Sequence, residues 1–172
     1  MAGGFGVLFH YYGATYTFIQ LACLFTLLVI CAEVDRQTGL IPNVVLGMGA
    51  LVALALNIIN SGINELGLLI FAAAGSCLIL FLIRSAWFFV ASRPGFGMGD
   101  VKLLGVIALF IGWNGLWAFY LAAIVGAVMG LAGIASGMWQ KDSRIPFAPA
   151  IALGTMLAIF IPFHHVTAQL WA

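Results

Sequence analysis

The sequence predicts an all-α integral membrane protein, a single bundle of about six transmembrane helices with both termini on the periplasmic side. Two observations carry the class. Of 172 residues, 65% are hydrophobic and 6% charged, at a mean hydropathy of +1.19. A soluble domain is nearer half apolar and a quarter charged. The apolar runs are also long and do not alternate, which selects helices over a β-barrel. The net charge of +1 points to no nucleic-acid partner, and the length fits one domain, residues 1–172, with no separate soluble unit. No removable signal peptide is evident, because the first basic residue is Arg36.

The uncharged runs set the spans in order. The first helix fits roughly 15–33, the second roughly 41–60 and the third roughly 65–84, with the turn Asn60-Ser61-Gly62 between the last two. The run from Leu103 to Gln140 is too long for one helix and is broken at Gly112-Trp113-Asn114-Gly115. It reads as a fourth helix over roughly 98–111 and a fifth over roughly 116–138, and a sixth fits roughly 146–163. The segment from Leu103 to Ile111 is too short to cross a bilayer, so the fourth helix starts earlier and takes in Asp100 and Lys102. Six spans put every Lys and Arg on one side: Arg36, Arg84, Arg93, Lys102, Lys141 and Arg144. The positive-inside rule makes that side cytoplasmic. Cys23, Cys31 and Cys77 fall inside apolar runs and read as packing residues. His10, His164 and His165 read as interfacial, and no metal site or cofactor is expected.

Five carboxylates remain to be placed. Glu65 suits a helix N-terminus, and Asp142 lies between Lys141 and Arg144 in a loop. Glu33, Asp35 and Asp100 lie at the cytoplasmic face. Asp35 sits in AEVDRQTGLIPN, residues 32–43, at the end of the first helix, with Pro42 suited to the first turn of the second. On its own this is a polar turn. Asp100, next to a long uncharged stretch, is costly near hydrocarbon and so a functional candidate. Together, two aspartates at one membrane face that close on each other can share a proton. One then acts as base toward water while the other polarises a peptide carbonyl. Gly95, Gly97 and Gly99 strip side chains from the approach to Asp100, which leaves room for an extended peptide. Glycines also serve helix packing in membranes.

At these residues the chain resembles the type IV prepilin peptidases, bacterial members of the GxGD membrane aspartyl proteases. GMGDVKLL (97–104) resembles the segment of the second catalytic aspartate. Asp35 to Asn43, ending in Ile-Pro-Asn, resembles the segment of the first, and RIPFAPAIALG (144–154) resembles the Pro-Phe-x-Pro segment that opens the last helix. The resemblance implies Asp35 and Asp100 as a catalytic pair. Gly97, Gly99, Lys102, Pro42, Asn43, Pro146, Phe147 and Pro149 stand as motif or substrate-binding support. It also implies cleavage of the leader from prepilins or pseudopilins at the cytoplasmic face of the bacterial inner membrane. The partners would be that leader, its following hydrophobic helix and the lipid bilayer. The N-terminal region with paired cysteines found in larger members is not expected, nor is N-methylation; the short form resembles the peptidases of tight-adherence or Flp pilus systems. A small transporter or ion-relay subunit is the competing reading, but it would place ionisable groups near mid-membrane, whereas here they gather at one face. A noncatalytic assembly protein retaining the pattern is a third.

Overall fold

The computed structural model describes residues 2–63, 66–91, 96–137 and 147–161. They form seven helices and, among the described residues, no strand. These are α1 (Ala2–Tyr12), α2 (Tyr16–Thr38), α3 (Asn43–Ser61), α4 (Leu66–Ala91), α5 (Met98–Ile111), α6 (Asn114–Ala135) and α7 (Ala148–Phe160). Four of them, α2, α3, α4 and α6, are long and apolar enough to cross a membrane. At 14 and 13 residues, α5 and α7 fall short of the roughly 20 that a straight span needs.

The six expected helices correspond to α2–α7, and three features differ from expectation. An additional helix, α1, precedes them. It folds back on α2, with Leu8 fully buried and edge-on ring pairs Phe5–Phe25 and Phe9–Phe18. At 11 residues it rises only about 16 Å, half of a hydrocarbon core. Second, α2 runs to Thr38, past the expected end near residue 33, so Asp35 lies in its last turn and Arg36 lies there too rather than in a loop. Third, α4 continues to Ala91, so Arg84 lies within the helix. Its Nε donates to the carbonyl of Phe96 at 2.9 Å, which satisfies the cation against the bundle and lets the apolar helix continue past it. Pro42 is the N-cap of α3 in an extended conformation, one position before the expected first turn.

Helices consecutive in the chain run antiparallel, as the contacts of α4 with α5 and of α6 with α7 show. α4 meets α5 at Arg84–Phe96, at Cys77–Val101 and at Gly75 against Trp113. α6 meets α7 at Gly126 against Phe147 at one end and by the Trp117 indole N–H to the Ile161 carbonyl at the other. Between those ends α6 and α7 touch backbone to backbone. A Cβ on Gly154 would lie 2.4 Å from the amide nitrogen of Ala122, the close approach that small residues allow in membranes. The centre of the bundle is α5, whose residues Leu103 to Ala108 are all buried. Cys31 belongs to the core, and Cys23 and Cys77 pack against it, as expected of packing residues. Large apolar side chains instead face outward from α3, α4 and α6, including Leu51, Ile59, Phe71, Leu82, Phe89 and Leu131. That inversion fits hydrocarbon rather than water as the surrounding solvent.

The end of α5 opposite Asp100 carries a polar belt. The last carbonyls of a helix lack intrahelical donors, and in an apolar setting they must find others. Gln20 of α2 donates to the Phe110 carbonyl at 2.8 Å, and Asn57 of α3 donates to the Leu109 carbonyl at 3.0 Å. The Tyr16 hydroxyl donates to the Leu56 carbonyl beside them.

Candidate active site

Asp35 owes its position to the end of α2. Gly39 stops the helix in the left-handed conformation, at φ 66°, and its N–H bonds the Asp35 carbonyl at 2.7 Å. A side chain would be strained there, so glycine fixes where the turn begins. Asp35 is 8% exposed. Its Oδ2 accepts from the backbone N–H of Ala148 at 3.0 Å, across 113 residues. Ala148 is the first residue of α7 and Pro149 the second. First-turn N–H groups point out of a helix without internal acceptors. Asp35 therefore satisfies an orphan donor and sits at the positive end of the α7 dipole.

Asp100 is held by its own helix. It is the third residue of α5, and its Oδ2 accepts from the N–H of the N-cap residue Gly97 at 2.8 Å. This is the acidic half of a capping box; glycine has no side chain to return the bond. At 7% exposure it is as buried as Asp35, and the two carboxylates lie within electrostatic range of each other. Among the described residues neither has a basic side chain at ion-pair distance. Arg36 is taken up by Glu33 at 2.9 Å, with Gln37 also donating to Glu33. Glu33 is thereby an exposed surface group and not a third acid of the site. Two buried carboxylates within electrostatic range, each steadied by one backbone N–H and without a basic partner among the described residues, form an arrangement suited to sharing one proton.

The supporting residues divide. The space at Gly97 is kept open against Asp100 itself: a Cβ there would come 3.2 Å from Asp100 Oδ2. The space at Gly99 is filled by this chain, since a Cβ there would lie 3.1 Å from the Cβ of Ile41. Gly99 thus lets the α2–α3 turn pack on α5, where an open approach for substrate was expected. Lys102 Nζ donates to Asn43 Oδ1 at 2.9 Å, so two of the expected support residues meet. Phe147 is the N-cap of α7 and stacks on Phe96, with Phe119 edge-on to it. Pro146 lies outside the described residues, as do Gly95, Arg93, Glu65, Lys141, Asp142, Arg144, His164 and His165. Sequence reasoning missed the Ala148 N–H, Ile41, and the hold of Arg84 on Phe96. A backbone donor leaves no mark of its own in a sequence, although Pro149 does mark the start of the helix that supplies it. Among the described residues no three His, Cys, Asp or Glu side chains converge.

Comparison with known proteins gives the arrangement a context. Residues 22–134, which include both aspartates, match the model of the type IV leader peptidase family. The chain is 37% identical over 134 residues to a prepilin leader peptidase/N-methyltransferase of Bacillus subtilis, covering 77% of this chain and 52% of that protein. It is 30% identical over 142 residues to a protein of the same name from Burkholderia pseudomallei, covering 80% of this chain and 45% of that one. A Legionella pneumophila protein of that name is 28% identical over 145 residues, covering 83% and 49%. The chain spans about half the length of these curated relatives. No solved structure matches it. With the family match covering most of the chain and both buried carboxylates inside it, the chain belongs to the type IV leader peptidase family.

Proposed function

We propose that this protein is a membrane aspartic endopeptidase, one domain over residues 1–172, that removes the leader from type IV prepilins or pseudopilins at the cytoplasmic face of the bacterial inner membrane. The observation that carries the reading is the pair Asp35–Asp100, both buried, within electrostatic range of each other, without a basic partner among the described residues, and held by backbone N–H groups at two helix starts. Family membership supports the substrate class, and the two-carboxylate geometry supports the first of the two activities in the relatives' names.

In this mechanism the ionised carboxylate takes a proton from a water molecule, whose oxygen adds to the scissile carbonyl carbon. The protonated carboxyl donates to the carbonyl oxygen as it gains charge. The tetrahedral intermediate then collapses, the C–N bond breaks, and the leaving amine takes up the proton held by the base. The leader leaves as a carboxylate and the pilin keeps a new N-terminus. Contacts between helix ends support the proposed orientation: Asp35 bonds the α7 start, and the turn after α2 packs on the start of α5, which gathers Asp35, Asp100 and the α7 start at one end of the bundle. Arg36 and Lys102 lie at that same end, which the positive-inside rule makes cytoplasmic.

Co-expression with candidate prepilins tests the reading, scored as leader removal by wild type, Asp35→Asn and Asp100→Asn. Each substitution removes one proton-transfer group, so each lowers cleavage by on the order of 10²-fold or more while the protein still inserts. Near wild-type processing by either variant would refute the assignment.

A further inference from the structure

We propose that Lys102 and Asn43 form a latch that fixes the separation of the two carboxylates, which makes both of them positioning residues; the inference rests on the two-aspartate reading above. Gly99 and Lys102 are three residues apart and share one face of α5. Lys102 stands about 200° around the helix from Asp100, so its ammonium leaves α5 away from the carboxylate. It reaches Asn43 Oδ1 at 2.9 Å, on the first residue of α3 and 59 positions back in sequence. On the same face Ile41 closes over the bare backbone of Gly99. The turn from Gly39 to Pro42 is therefore pinned to α5 twice, by an apolar contact at Ile41 and a polar one at Asn43. Asp35 stands one helical turn before Gly39, whose N–H bonds its carbonyl, and Asp100 lies between the two pinned positions of α5. The latch thus joins the segment carrying one carboxylate to the segment carrying the other.

A lysine that merely snorkelled to the membrane face would need only water. Here the ammonium is spent on a neutral side-chain oxygen of another helix, while the exposed acid Glu33 is taken by Arg36 and Gln37. Loss of the latch leaves Ile41 alone to hold the turn. Both aspartates stay buried, but their spacing loosens, and a misplacement of about 1 Å can cost on the order of 10²-fold in rate. The step affected is chemistry rather than binding.

The test is steady-state leader cleavage by the full chain, reconstituted with a prepilin substrate, for Lys102→Met, Asn43→Leu, their double variant and Asn43→Asp. Asp35→Asn and Asp100→Asn serve as controls. Each single latch variant should lose about tenfold in kcat with KM within about twofold, and the double variant should lose no more than the worse single one, as expected of partners in one contact. Asn43→Asp keeps the acceptor oxygen and should retain at least about a third of kcat. If Asn43→Leu fails to accumulate, Asn43→Ala takes its place. The latch is overturned if losses multiply in the double variant or if Asn43→Asp is as impaired as Asn43→Leu. A rise in KM at unchanged kcat also overturns it, and would make Lys102 a substrate contact. Active aspartate controls would overturn the two-aspartate reading and the latch with it; inactive controls with a failed latch would overturn the latch alone.

Discussion

Gly97 and Gly99 look equivalent in the sequence, two glycines of one motif, and the structure separates them. A side chain at 97 would press on the carboxylate of Asp100, and one at 99 would press on Ile41. The φ of Gly97 is −73°, which any residue adopts. Gly97→Val should therefore leave the melting temperature nearly unchanged and lower cleavage by on the order of 10²-fold through displacement of Asp100. Gly99→Val should lower stability and cleavage together, with overpacking costing about 1–3 kcal/mol. Adding Ile41→Ala should recover part of both for Gly99→Val and neither for Gly97→Val. Thermal unfolding in detergent beside leader cleavage decides the matter; equal behaviour of the two glycines would contradict it. Asp100 stood out as a candidate because a carboxylate beside a long apolar run has few uses, whereas Asp35 on its own read as part of a polar turn. What they bond was not legible: one accepts from a backbone amide 113 residues away.

Boundaries show the same contrast between helices. α5 begins and ends where the sequence places it, because two physical stops bracket it. Gly97 is its N-cap, and Gly112, at φ 60°, breaks the run before α6. α1 escaped notice because 11 residues are too few to span, and Gly3, Gly4 and Gly6 lower its helix propensity. It forms because tertiary packing on Phe25 and Phe18 overrides that propensity. α4 was cut short at Arg84 because a charge was read as the membrane edge, whereas its guanidinium turns inward to the Phe96 carbonyl. The far end of α5 gives an element-scale prediction. Gln20→Leu or Asn57→Leu leaves a terminal carbonyl of α5 without its donor. Each should cost about 1–3 kcal/mol of stability, the penalty for a buried polar group left unmade, while cleavage per folded molecule stays near wild type. An unchanged unfolding midpoint for both would show that the belt does not hold α5.

At the scale of the whole molecule, antiparallel neighbours make the chain's crossings testable from outside. Ala14 and Ile63 lie outside the helices at one end of the bundle, Gln37 in the last turn of α2 and Leu40 just after it at the other, and all four are exposed. In a background with Cys23, Cys31 and Cys77 replaced, single cysteines at Ala14 and Ile63 should react with an impermeant thiol reagent in intact cells. Cysteines at Gln37 and Leu40 should react only after the membrane is opened. Labelling of all four from one side would contradict the proposed crossings of α2 and α3. The class and the order of helices were legible from hydropathy alone, but which helix lies at the centre was not. α5 reads like its neighbours in composition, yet from Leu103 to Ile111 it has no exposed residue. A bilayer that thickens or thins acts on the helices whose large side chains it touches, which tilt or shift to match it. Among the described residues α3, α4 and α6 carry most of those side chains. The middle of the helix bearing Asp100 is sheathed by other helices, so a change in membrane composition reaches the carboxylate already absorbed by that sleeve.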